Sequence, residues 1–233
     1  MLFPAPCALC QEILSQASRI PVCAACLASV RPLSREARCE GCEREMYGLP
    51  GASGTLLCRR CRVGAYAFER VRSYGEYDGP LGEVIQLFKY RGVQALKDFL
   101  ATRVAQTAQE EFELGEINAI VPVPLHRSRQ RERGFNQSAM LAGALAGKLD
   151  LPVREALLLR HRKTRPQTGL TFAQRRINVR GAFAVRAGVT IDKLRILLVD
   201  DVYTTGATVH ACARALRRAG ARSVAVLTIA RAH

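Results

Sequence analysis

Residues 196–208, Ile-Leu-Leu-Val-Asp-Asp-Val-Tyr-Thr-Thr-Gly-Ala-Thr, constrain the fold more than any other stretch of this chain. Four apolar residues run directly into two adjacent carboxylates, and a turn of hydroxyl and glycine residues follows. From Ala207 to Arg218 the apolar residues Val209, Cys212, Ala213 and Leu216 recur at helical spacing. This order predicts a buried strand, a tight turn and an amphipathic helix, which is one unit of an open α/β sheet. Asp200 and Asp201 then stand at the carboxyl end of the strand, the side of such a sheet on which ligands bind. Thr204, Thr205, Gly206, Ala207 and Thr208 fall at the start of the helix, where backbone N–H groups and hydroxyls hold a phosphate without any lysine. Carboxylates accept hydrogen bonds from sugar hydroxyls, so the acidic pair and the turn together suit a sugar phosphate. A solvated acidic turn rich in threonine would share some of these residues, but not the buried strand before them and the amphipathic helix after them.

At 233 residues the chain has room for one domain of ordinary size and a small appendage. No uninterrupted apolar run approaches the roughly 18 residues of a membrane helix. The opening Met-Leu-Phe-Pro-Ala-Pro-Cys has neither the basic start nor the apolar centre of a secretory signal. The expectation is a cytoplasmic protein without membrane insertion. Residues 1–119 carry 14 basic and 14 acidic side chains, whereas residues 120–233 carry 21 and 6. Most of the basic residues are arginine, whose planar fork matches phosphate. Such a field attracts a polyanionic small molecule or a nucleic-acid backbone, and a basic surface with no specific partner has the same composition.

Eight of the nine cysteines form four Cys-x-x-Cys pairs, Cys7/Cys10, Cys23/Cys26, Cys39/Cys42 and Cys58/Cys61. A two-residue gap lets a tight knuckle turn both thiolates toward one metal, and two knuckles complete a tetrahedral shell. Eight ligands make two structural Zn²⁺ sites. The intervening sequence is short and rich in Gly, Pro and charge, so metal binding supplies much of the folding energy of residues 1–64. A disulfide framework is the rival reading and fits poorly with a cytosolic chain. Pairing 7/10 with 23/26 and 39/42 with 58/61 is simplest, while an interleaved arrangement fits the same spacing. Cys212 lies on the apolar helix face and reads as core.

Between these two regions, Ala65 to Tyr77 alternates enough to predict a β-hairpin, and Leu81 to Tyr90 and Gln94 to Glu113 read as helices. Ile117 to Pro124 is a second buried strand, stopped by Pro122 and Pro124. The loop expected after it carries arginine at positions 127, 129, 131 and 133, which would place several guanidinium groups around one pyrophosphate. Phe135 to Leu149 reads as a helix, and the polar, basic stretch after Leu157 as a long binding loop or lid. A short helix over Ala173 to Val179, a strand from Gly181 and a final strand from Ser223 to Ala230 complete the pattern.

The Val199–Thr208 segment resembles the phosphoribosyl pyrophosphate (PRPP) signature of type I phosphoribosyltransferases. Five further segments extend the resemblance: Lys89-Tyr-Arg-Gly, Val121-Pro-Val-Pro-Leu, Arg133-Gly-Phe-Asn-Gln, Arg165-Pro-Gln-Thr-Gly-Leu and Arg176-x-Asn-x-x-Gly-Ala-Phe. With the four cysteine pairs, they make the chain similar to the ComF family along nearly its whole length. The resemblance implies an α/β fold of the type I phosphoribosyltransferase kind, a parallel sheet flanked by helices over residues 65–233. A double zinc ribbon over residues 1–64 precedes it. It implies that Val199, Asp200, Asp201, Tyr203, Thr204, Thr205, Gly206, Ala207 and Thr208 bind PRPP with Mg²⁺. Asp200 and Asp201 also take the catalytic role. Pyrophosphate falls to Pro122, Val123, Pro124, Arg127, Arg133, Lys89 and Arg91. The family's work in natural competence and DNA utilisation implies single-stranded DNA and competence proteins such as a ComFA-type helicase as partners. Two functions follow from the resemblance: transfer of a phosphoribosyl group to a nitrogenous acceptor, or a non-catalytic, PRPP-responsive adaptor on single-stranded DNA.

Overall fold

The computed structural model describes residues 5–16, 18–46, 56–165 and 169–232. Its centre is β5 (Arg195–Tyr203), with β6 (Ser223–Arg231) on one side and β2 (Ala119–Pro122) on the other; β1 (Val71–Glu76) pairs with the far side of β6. All three pairings are parallel. A parallel sheet covered on both faces reads as continuous apolar runs, and the period of two divides each run between two cores. In β5, Ile196 and Leu198 face one core and Leu197 and Val199 the other; in β6, Val224 and Val226 are separated from Leu227 and Ile229 in the same way.

The core containing Leu197 is covered by α3 (Gly79–Tyr90), α4 (Leu96–Glu111) and α6 (Gln137–Leu149). Asp78 caps α3 by accepting from the Gly79 N–H, and Pro80 follows in the first turn, where its missing N–H costs nothing. The opposite core is covered by α8 (Ala207–Arg218) and by a two-stranded antiparallel ribbon of β3 (Leu158–Arg160) and β4 (Phe183–Val185). α7 (Phe172–Val179) joins the two ribbon strands and packs on α8. Two short helices, α1 (Ala24–Ala28) and α2 (Arg59–Arg62), belong to the cysteine-rich N-terminal part.

The hairpin expected over Ala65–Tyr77 does not form. Residues 71–76 make the single strand β1, whose partner is β6, with Val71 opposite Val226. The segment before it is held elsewhere: the Ala67 N–H donates to His210 Nδ1 at 3.1 Å, and Tyr66 stacks on Phe68. The arginine-rich loop after β2 is instead α5 (Arg127–Arg133), capped at its start by His126, which accepts from the Ser128 N–H, and ended by Gly134 at φ 79°. Arginine, glutamine and glutamate are good helix formers, and these caps satisfy both ends. Part of the predicted binding loop is also regular, since β3 occupies its first residues. Pro166–Thr168 lie outside the described residues.

The second pair of cysteine knuckles is continuous with the sheet. Cys39, Cys42 and Cys58 belong to the same apolar cluster as Ile196 and Val226, and Arg231 of β6 donates to the Cys42 carbonyl at 2.9 Å. Glu43, 2% exposed, accepts from the Ser73 N–H at 2.9 Å, from Ser73 Oγ at 2.7 Å and from Arg35 at 2.6 Å. A buried charge is tolerable only with such a full set of partners, and here those partners fasten the knuckle to β1. The first pair packs in a smaller cluster with Leu14 and Val22, touching the rest through Leu87 of α3.

Candidate functional site

Beyond Val199 the strand does not stop at the acids: β5 continues through Asp200 and Asp201 to Tyr203, paired with β6 up to Tyr203 opposite Arg231. The two carboxylates are held from different helices. Ser138, in the first turn of α6, donates to Asp200 Oδ1 at 2.9 Å, and the Asp201 N–H donates to the same oxygen at 2.9 Å. Lys89, in the last turn of α3, forms an ion pair with Asp201 Oδ1 at 2.9 Å. Burial, then the neighbouring charge of Asp201, pushes the Asp200 carboxyl up to about 7 against the Ser138 hydrogen bond. Burial alone would lower Lys89, but the Asp201 carboxylate more than reverses this and holds the ammonium above its ordinary value.

After Tyr203 the chain turns sharply. Gly206, the N-cap of α8, has φ 75°, a left-handed conformation that glycine adopts without strain. A Cβ there would also lie 2.6 Å from the Tyr203 hydroxyl. Tyr203 is 3% exposed, edge-on to Phe68 and under the Arg231 guanidinium at 5.2 Å. Tyr203 is thus the floor against which the turn is pressed. The Ala207 N–H donates to Thr205 Oγ1 at 3.4 Å.

A cavity of about 410 Å³ opens over these groups, within the range of small-ligand sites. Of the residues predicted for the sugar phosphate, Asp200, Asp201, Tyr203, Thr204, Gly206, Ala207 and Thr208 line it; Val199 is buried between the layers, and Thr205 faces a small adjoining cavity with Tyr66 and His210. Of those predicted for pyrophosphate, Lys89, Val123, Pro124 and Arg133 line it, while Pro122, Arg127 and Arg91 do not. Because 127–133 is helical, residues 127 and 131 share one side and residues 129 and 133 the other. Arg129 therefore reaches the cavity in place of Arg127. Asn136, the N-cap of α6, donates to the Val123 carbonyl at 3.1 Å and so fixes the bend after β2.

The 158–171 stretch, expected as a binding loop or lid, sends Arg160, Lys163, Thr164 and Arg165 to the cavity, with Arg175 from α7. Arg160 lies over the Phe183 ring at 5.4 Å and donates to Thr164 Oγ1, yet among the described residues its buried Nε has no hydrogen-bond partner. A buried donor left open at a cavity wall marks a place for an acceptor on a ligand. Ser138 and Gln137 were also missed, although the Asn136-Gln137-Ser138 start of α6 is a recognisable cap sequence.

The cysteines form two groups, Cys7/Cys10/Cys23/Cys26 and Cys39/Cys42/Cys58/Cys61, with the four Sγ atoms of each within 4.8 Å of one another. The sequential pairing is therefore the one adopted. None of the nine cysteines is joined in a disulfide. Tetrahedral zinc with ligands at about 2.3 Å requires S···S edges of about 3.8 Å. The observed Cys7–Cys26, Cys10–Cys23 and Cys42–Cys58 separations are 3.9, 3.7 and 3.6 Å. Backbone N–H groups of Cys23, Cys26 and Cys58 point at sulfur, as thiolate ligands require. Both groups fit a structural zinc ion with no position left for water. Among the described residues no helix is long and apolar enough to cross a membrane.

Residues 136–233, which hold α6 through β6, match the family described as "Phosphoribosyl transferase domain". Three curated relatives extend the similarity beyond this domain. Competence protein F of Haemophilus influenzae is 31% identical over 212 residues, 86% of this chain and 93% of that protein. DNA utilization protein YhgH of Salmonella typhimurium is 33% identical over 231 residues, 98% and 97% of the two chains. Competence protein ComFC of Bacillus subtilis is 31% identical over 187 residues, 75% and 72% of the two. Since this similarity takes in the cysteine knuckles as well as the sheet and its acidic strand end, the chain belongs to the ComF family.

Proposed function

We propose that the cavity binds PRPP and transfers its phosphoribosyl group to a nitrogenous acceptor, in the service of DNA uptake or utilisation. The observation that carries this reading is the convergence in one cavity of the Asp200/Asp201 pair, the Thr204–Thr208 turn and a wall of cations. The turn presents the N-terminus of α8 to the 5′-phosphate. The carboxylates accept from the ribose hydroxyls. Lys89, Arg129 and Arg133 surround the pyrophosphate and stabilise the charge that develops on it as it leaves. In the reaction the bond from C1 of the ribose to the pyrophosphate oxygen breaks, a bond from C1 to the acceptor nitrogen forms, and the nitrogen loses its proton. No protein nucleophile is needed; the chain positions the two reactants and shields a cationic sugar centre with Asp200 and Asp201. The same carboxylate oxygens fit Mg²⁺, which binds through one or two carboxylates and substrate phosphates; bound there, it would neutralise pyrophosphate charge. Residues 1–64 are proposed as the zinc-ribbon unit and 65–233 as the phosphoribosyltransferase unit, in the cytoplasm.

Calorimetric titration with PRPP and Mg²⁺ tests the reading. A charge-assisted hydrogen bond is worth about 1.5–3 kcal/mol, so Asp201→Asn should weaken binding about tenfold or more. Equal affinity in the variant would remove Asp201 from the site, and no binding by the well-folded protein would remove PRPP. In that event the adaptor reading leads, supported by relatives named for competence and DNA utilisation and by the basic C-terminal half. Its mark is affinity for single-stranded DNA that falls steeply with salt.

A further inference from the structure

A second groove, of about 500 Å³, runs between α7 and α8 and ends at α2. Arg176 of α7 and Arg180, the residue that caps its C-terminus, face His210 and Arg214 one turn apart on α8, and Arg60 comes from between Cys58 and Cys61 of the second knuckle. Ala173, Ile177, Val179, Ala207 and Ala211 complete the lining, and among the described residues no carboxylate contributes to it. His210 Nδ1 accepts from the Ala67 N–H, which places the ring proton on Nε2. Burial first, then Arg176 and Arg214, lowers its pKa, so the neutral ring adds a donor and no positive charge. Among the described residues neither Arg180 nor Arg214 has a carboxylate partner. The polar lining thus consists of donors with a strongly positive field, which an acceptor-rich anion complements. Residues four apart on a helix are about 6 Å apart along its axis, a spacing suited to consecutive phosphates in an extended chain. Ile177, 72% exposed, lies at the same rim and offers an apolar surface beside the charges.

We propose that this groove is a second anion site, built to hold two or more phosphate groups in series, as in a single-stranded nucleic-acid backbone or a linear oligophosphate. The site is separate from the larger cavity: the chain between them is the turn Thr205–Ala207, with Ala207 lining both. The proposal does not depend on PRPP being the ligand of that cavity.

The test is binding of fluorescent oligothymidylate and of inorganic tripolyphosphate to the zinc-loaded protein and to an Arg180→Glu/Arg214→Glu variant. Arg180 is exposed and Arg214 half-buried, and thermal unfolding checks that the variant keeps its fold. We expect at least one probe to bind and the variant to lose about a hundredfold or more in affinity, since each arginine–phosphate bond removed is worth about 1.5–3 kcal/mol. If the strand is the ligand, the salt dependence of its affinity should also drop by about 0.7 in slope for each phosphate that the variant no longer neutralises. The probe that binds more tightly identifies the source of the phosphates. Lys148→Glu, at an exposed position of α6 across the sheet from this groove and lining neither cavity, should leave both affinities unchanged. The proposal is overturned if neither probe binds, if the double charge reversal binds as the parent does, or if Lys148→Glu weakens binding as much as the double reversal does.

Discussion

At the scale of single residues, the site is defined by two charges and one glycine. Asp200 is pushed up to about 7, chiefly by burial, whereas an unfolded aspartate titrates near about 3.9. Between about pH 4 and about pH 7 the folded protein therefore holds a proton that the unfolded chain has lost, and ligand-free stability should fall as pH rises through that window. Thermal unfolding at several pH values checks this, and Asp200→Asn should flatten the slope. Asp201 has the opposite duty. Removing its charge leaves Lys89, whose side chain is 12% exposed, without its direct partner, and breaking a buried pair in this way costs about 3 kcal/mol. Asp201→Asn should accordingly lower stability as well as ligand affinity, and Asp201→Asn/Lys89→Met should recover stability but not affinity. Gly206→Ala meets two penalties, a left-handed φ worth about 1–2 kcal/mol and the Tyr203 hydroxyl 2.6 Å from the new methyl. Adding Tyr203→Phe should relieve only the second, which a double-mutant cycle in thermal denaturation would show as a positive coupling. None of this was legible in the chain itself: Asp-Asp and Thr-Thr-Gly announced their chemistry, but which helix neutralises which acid depends on packing across the sheet.

Among the elements, those with long amphipathic patterns match their expectation within a few residues, α3, α6 and α8 above all. The departures occur where the same residues suit two conformations. Alternation in residues 65–77 predicts a strand equally well for a hairpin or for a parallel edge, and the presence of β6 decides between them. The arginines of α5 were spaced as if along an extended loop; coiled into a helix, they diverge, and alternate members turn away from the cavity. Arg129→Ala should therefore weaken the proposed PRPP binding by about tenfold, with Arg127→Ala close to the parent. Similar losses from both substitutions would mean that the segment uncoils on binding. A calorimetric comparison of the two variants is sufficient.

Taken whole, the molecule treats its two cysteine groups differently. One sits at the side of α3 in a cluster of its own, with Cys10 exposed; the other shares the sheet's core and holds Arg231 and Ser73 through its backbone and Glu43. Cys58→Ser should prevent folding of the entire chain, whereas Cys10→Ser should leave a folded sheet that still binds ligand, as judged by circular dichroism and titration. The spacing of the cysteines revealed both groups but not this inequality, because nothing local to a knuckle says what it will be packed against. Sheet order carries a further consequence. β6 lies between β1 and β5, yet follows every other element, and the hydroxyls of Ser73 and Thr228, bonded across it, are 155 residues apart in sequence. During synthesis β1 leaves the ribosome with its partner strand still unmade. Pairings this distant form slowly, so the N-terminal knuckles can take up metal early, while the strand that docks one of them follows every other described element. Assembly of the ligand cavity and seating of the second knuckle are then a single late event, since both wait on the same nine residues.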